Sequence, residues 1–89
     1  IDNRGSHAWL ALYWARELTA QTADADLAER FAPVAGALGA ANEEIQAELV
    51  AVQGHPVDIG GYYVPDAALT DAVMRPCARL NEIVDALRA

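Results

Sequence analysis

The sequence predicts an all-α fold of four to five helices with one long irregular loop at about residues 54–65. Three observations carry this. Twenty of the 89 residues are alanine, and Leu, Glu, Arg and Gln, all good helix formers, make up much of the rest. Apolar residues recur at spacings of three and four along most of the chain. Only the stretch from Gly54 to Pro65 loses that period, and there two prolines and two adjacent glycines gather. A chain of 89 residues is one small domain or part of one. At that size only about 60–65% of the unfolded surface is buried on folding, so its core is thin.

The elements follow in order. Ser6 suits the N-cap of a first helix over about His7–Thr22, because a hydroxyl can accept from backbone N–H groups two or three residues on. Leu10, Trp14 and Leu18 share one face of it, with Trp9, Tyr13 and Leu12 beside them. From Ala8 to Ala15 no residue is charged, and a helix apolar all round for two turns needs burial on several sides. Asp26 and Glu29 fit a capping box for a second helix carrying Leu27, Phe31, Val34 and Leu38. Pro33 falls inside it and is expected to kink it, since the apolar phase is kept across the proline. Gly36, Gly39 and Asn42 weaken the next turns. A third stretch with Ile45, Leu49 and Val52 either continues the second helix or restarts near Gly39, and it ends at Gly54. Beyond the loop, Asp66 caps a short helix through about Val73, and Arg75-Pro76 ends it. A last helix over about Pro76–Leu87 turns Leu80, Ile83, Val84 and Leu87 to one side.

Composition excludes several classes. Six basic residues, all arginine, stand against 13 acidic ones for a net charge of −7. With no basic run there is no footprint for a phosphate backbone, so nucleic acid is not an expected partner. The apolar stretch Ala8–Ala15 is far short of the roughly 20 residues of a membrane span. The single cysteine, Cys77, cannot form an internal disulfide. At 54% hydrophobic the chain is too apolar for intrinsic disorder. Ile1 stands where an initiator methionine would be, which predicts a start inside a longer product.

The chemistry-bearing candidates are few. Asn3-Arg4-Gly5-Ser6-His7 places an arginine, a hydroxyl and a histidine at a helix start, where free N–H groups and the positive dipole end favour an anion. Arg4 would then hold a phosphate or carboxylate through two parallel N–H donors. The competing reading is an ordinary capped helix with Arg4 paired to a nearby acid. His55, Asp58 and His7 lack metal-site spacing, so no metal is assigned within the chain. Cys77 follows Pro76 at a helix start, where a thiolate is favoured, or it is a small half-buried residue. Gly60-Gly61 admits close approach of a ligand to the backbone, or a tight turn. Tyr62 and Tyr63 either stack on something flat or plug a core. Trp9, Tyr13, Trp14 and Phe31 are packing residues, in a core or between domains. No nucleophile, base and orienting group can be assembled, so no catalytic residue is assigned.

Several strings then converge. They are Asp2-Asn3-Arg4-Gly5-Ser6-His7, Leu10-Ala11-Leu12-Tyr13-Trp14-Ala15, Phe31-Ala32-Pro33, Val52-Gln53-Gly54, Pro56-Val57-Asp58-Ile59-Gly60-Gly61-Tyr62-Tyr63, Pro65-Asp66 and Met74-Arg75-Pro76. Together they resemble, collinearly and over nearly all 89 residues, the C-terminal end of the monomeric type of NADP-dependent isocitrate dehydrogenase. The chain departs from that pattern at Ala8-Trp9, His55, Val64 and Cys77. The resemblance implies a bacterial, cytoplasmic, two-domain enzyme of the tricarboxylic acid cycle and glyoxylate bypass. That enzyme oxidises and decarboxylates isocitrate to 2-oxoglutarate with NADP and Mg²⁺ or Mn²⁺. On this resemblance residues 1–89 are a helical segment of the larger α/β domain, not an independent domain, with the rest of the polypeptide as partner. The catalytic and metal-binding residues lie upstream. Arg4 and His7 fall close in sequence to the cofactor's phosphate-binding arginine and are expected at the rim of that site. The segment alone is expected to lack catalysis, to bind no cofactor and to self-associate through Trp9, Tyr13 and Trp14, whereas the whole enzyme is a monomer. The alternatives are a small helical protein-protein interaction module and a free-standing regulatory protein.

Overall fold

The computed structural model describes residues 2–88. Among them lie four helices and no strand: α1 (Arg4–Ala20), α2 (Ala25–Ala51), α3 (Ala67–Met74) and α4 (Ala78–Ala86). The lower of the two predicted helix counts holds, and the loop lies where the lost period put it.

Helix α1 begins three residues earlier than its serine suggests. Asn3 is the N-cap, and its own side chain makes no capping bond. Asp2 does that work instead, with Oδ1 accepting from the Arg4 backbone N–H at 2.9 Å. Ser6 is inside the helix, where its hydroxyl donates to the Asn3 carbonyl at 3.0 Å. The cap of α2 also moves, from Asp26 to Asp24, whose Oδ1 accepts from Leu27 N–H at 3.0 Å. Gln21 fixes Asp24 there: its amide donates to the Leu18 and Asp24 carbonyls at 3.0 and 2.8 Å, and its Oε1 accepts from Asp24 N–H at 2.9 Å. Asp26 is left in the first turn, where its charge complements the dipole.

The 27 residues of α2 form one helix through Pro33, Gly36 and Gly39. The possible break near Gly39 does not occur. Each helical glycine costs about 1 kcal/mol relative to alanine, and burial opposes that cost. Leu38, Ala41, Ile45 and Leu49 are buried in one stripe at spacings of three and four, and Phe31 and Val34 extend it half-buried.

Helices α1 and α2 pack antiparallel across the turn at residues 21–24. The Gln46 amide donates to the Gly5 carbonyl at 2.9 Å, and the Asp2 N–H donates to Gln53 Oε1 at 2.9 Å. Midway along both helices Leu12 comes up against Gly39. The buried face of α1 is Ala8, Leu12 and Ala15, so the Leu10–Trp14–Leu18 face points elsewhere, with Leu10 and Trp14 exposed. The aromatic residues of α1 are thus outside this core, while Phe31 packs against it.

After Val52 the chain leaves the helix, and Gly54 takes a φ of 87° that suits glycine. The loop closes where Asp66 N–H donates to the Ile59 carbonyl at 2.7 Å. Asp66 then caps α3 through Leu69 N–H at 2.9 Å, as its sequence position suggested. Tyr62 and Tyr63 are 94% and 99% exposed, so they plug no core of these residues. Helix α3 buries none of its residues. Its C-terminal end is tied to α4 through Arg75, whose Nε donates to Asn81 Oδ1 at 3.1 Å, while Asn81 Nδ2 donates to the Arg75 carbonyl at 2.8 Å. Helix α4 packs on α2 with Ile83 buried and Leu80 half-buried, whereas Val84 lies at the surface.

Candidate functional site at the start of helix α1

Arg4 and His7 lie three residues apart in the first turns of α1. The Arg4 guanidinium is largely covered and already engaged. Its Nε donates to Asp2 Oδ2 at 2.8 Å, a second nitrogen donates to the same oxygen, and a third donates to the Val73 carbonyl at the end of α3. The Arg4 hydrogen bonds hold the Asp2 carboxyl below the usual carboxylate range, and Asp2 in turn raises the Arg4 guanidinium. The backbone donors of this helix start are partly taken too. Arg4 N–H goes to Asp2, and His7 N–H goes to the Asn3 carbonyl at 3.0 Å. His7 is exposed to solvent.

Around Arg4 the surface is hollowed by about 380 Å³, lined by Asp2, Arg4, Gln53, His55, Val73 and Met74 among others. The structure therefore brings the Arg4 segment, the end of α2, the loop and the end of α3 to one place. His7 is not part of that lining. The sequence reading missed Gln53 and the Val73 carbonyl as neighbours of Arg4, because both arrive through tertiary packing. Asp2, two residues before Arg4, was the legible partner. A larger hollow of about 420 Å³ lies between α2 and α4, floored by Val34, Ile83 and Leu87 with Arg30 and Arg79 at its rim.

The remaining candidates are placed apart. Asp58 Oδ1 accepts from Gly60 N–H at 2.9 Å, forming a local turn, and His55 is exposed. No group of three metal-ligating side chains gathers among the described residues. Close approach at Gly60 comes from the chain itself: a Cβ there would lie 2.9 Å from Asp66 Cβ. Cys77 is fully buried and sits at the N-cap of α4. Burial, followed by the neighbouring Glu48 carboxyl, pushes its thiol up, which favours the small packed residue over the thiolate among the two readings of this position.

Fold and site together define a small all-helical segment whose charged helix start is tied to the end of α2 and to α3. The chain belongs to the monomeric isocitrate dehydrogenase family, matching the profile described as "Monomeric isocitrate dehydrogenase" over residues 1–85. It is 60% identical over 88 residues to isocitrate dehydrogenase (NADP) of Corynebacterium efficiens, covering 99% of this chain and 12% of that protein. The protein of the same name from Corynebacterium glutamicum is 59% identical over 88 residues, with the same two coverages. Isocitrate dehydrogenase (NADP) 2 of Mycobacterium tuberculosis is 53% identical over 88 residues, again at 99% and 12%. The chain thus spans about 12% of the length of these relatives.

Proposed function

We propose that this chain is the C-terminal helical segment of the large domain of an NADP-dependent isocitrate dehydrogenase, and that it is not an independent domain. The observation that carries this reading is the 60% identity over 99% of the chain to a protein bearing that name. The whole enzyme oxidises isocitrate with NADP and releases 2-oxoglutarate and carbon dioxide. It is a cytoplasmic monomer with a Mg²⁺ or Mn²⁺ ion held upstream of this segment. No helix among the described residues is long and apolar enough to cross a membrane. The segment itself contributes packing and no catalytic group, and the rest of its own polypeptide is its partner.

Arg4 and His7 stand at the rim of the cofactor site in this reading. The donor chemistry fits a phosphate: a guanidinium with several N–H donors and an imidazole, three residues apart at a helix start. Arg4 is bound to Asp2 at present, so it meets a phosphate by exchanging one anion for another. His7 is exposed and needs no such exchange. In the full-length protein, Arg4→Ala is expected to raise the KM for NADP several-fold more than the KM for isocitrate. Steady-state kinetics with each substrate varied in turn checks this. Equal or absent changes return Arg4 to its structural ties with Asp2 and Val73.

A further inference from the structure

The outer surface of α1 is unusual for a surface helix. At ~100° per residue, Trp9, Tyr13, Leu10 and Trp14 cover an arc of roughly 140° that adjoins, but does not coincide with, the buried Ala8–Leu12–Ala15 stripe. They are 39%, 50%, 44% and 65% exposed respectively. The Trp9 and Tyr13 rings lie 5.7 Å apart, so the arc is a packed aromatic surface with no charge between Ala8 and Ala15. Contiguous apolar patches of this kind mark surfaces that are covered.

The dimensions of the molecule point the same way. Its accessible area is 6210 Å². A self-sufficient folded monomer of this length exposes about 5,000 Å². The excess of roughly 1,200 Å² exceeds the ~800 Å² that one partner contributes to a standard interface. The radius of gyration is 15.0 Å, against about 12 Å for a compact chain of this length.

We infer that the Trp9–Leu10–Tyr13–Trp14 face of α1 is an internal docking surface, covered by the portion of the same polypeptide that lies outside these 89 residues. This rests on the proposed reading that the chain is a segment of a larger enzyme. Two observations select that occupant over a second copy. The relatives are about eight times longer, since the chain spans 12% of their length, so material to cover the face is present in the same molecule. The family is the one described as monomeric, which leaves a second copy no standing role.

The test is hydroxyl-radical footprinting of the full-length protein, read by mass spectrometry at Trp9, Tyr13 and Trp14. Oxidation of these residues in the native protein is expected to be at least ten-fold slower than in the same protein denatured. The protection is expected to be independent of protein concentration, with a monomer in sedimentation. Native rates within two-fold of the denatured ones would overturn the inference. Protection that vanishes on dilution as a dimer dissociates would also overturn it and assign the face to a second copy. An assay of NADP-linked isocitrate oxidation on the same sample separates the two levels. An active protein with reactive tryptophans defeats the docking surface alone. Protected tryptophans in an inactive protein defeat the enzymatic reading alone.

Discussion

Burial sets the chemistry of Cys77. Its side chain is fully enclosed, and the Glu48 carboxyl lies beside it, so the neutral thiol is the favoured form in the folded state. An unfolded thiol ionises near pH ~8.5. Because the folded thiol ionises higher, the native state holds its proton over a range where the unfolded state has lost it. Cys77 therefore contributes fully to stability below about pH 8.5, and that contribution is lost as pH rises toward and through the folded value. Denaturant melts from pH 7 to 10 are expected to fall more steeply for the wild type than for Cys77→Ala. The native thiol is also expected to react with a disulfide reagent only after unfolding. Gly60 gives a second expectation at this scale. Its φ is 80° and Asp66 fills the space where a Cβ would sit, so Gly60→Ala meets both an unfavourable backbone and a contact. A loss of about 1–3 kcal/mol is expected in chemical denaturation. Arg4 completes the residue scale: an Asp two positions before it was visible in the sequence, whereas the Val73 carbonyl was not.

Helix α2 shows what periodicity can and cannot resolve. The apolar phase from Leu27 to Leu38 and from Ile45 to Val52 was legible, and the structure buries or half-buries those residues. Continuity across Gly36 and Gly39 was not, because glycine propensity argues for a break while tertiary burial of Leu38 and Ala41 decides against one. At Gly36 no atom would meet a Cβ within 4 Å, and the residue is exposed. Gly36→Ala is accordingly expected to stabilise the protein by about 1 kcal/mol in denaturant melts, through propensity alone. Helix α1 failed in the opposite way. With apolar residues on nearly every side, a 3.6-residue period cannot choose which face goes inward, and small Ala8 and Ala15 beside Leu12 won over the aromatic residues. Close approach of two helices favours small side chains, a preference that hydrophobicity ranking does not express. The caps misplaced at Ser6 and Asp26 share one cause: in each case an earlier aspartate had the better geometry, Asp2 four residues before Ser6 and Asp24 two residues before Asp26.

At the scale of the whole molecule, the principal extents of 45 × 25 × 18 Å follow from the 27-residue α2, which outruns every other helix. The four helices and the loop were legible, since helix formers and turn formers segregate along the chain. Less legible was the candidate site, where the end of α2 meets Asp2 and the end of α3 meets Arg4 through contacts separated by about fifty to seventy residues. Exposed Tyr62 and Tyr63 and the aromatic arc of α1 have a common meaning at this scale. They are large apolar groups that the segment's own residues leave uncovered.

The short turn between α1 and α2 has a consequence in time. Contacts that close small loops form quickly, and helical hairpins are among the fastest structures to assemble. The turn at residues 21–24 therefore lets this pair form in advance of long-range assembly. On the inferred docking, Trp9, Tyr13 and Trp14 then enter it on a platform that is already built. On that inference the time between hairpin formation and docking is when this face is open to other chains, and the speed of docking, more than the stability of the hairpin, sets how long it lasts.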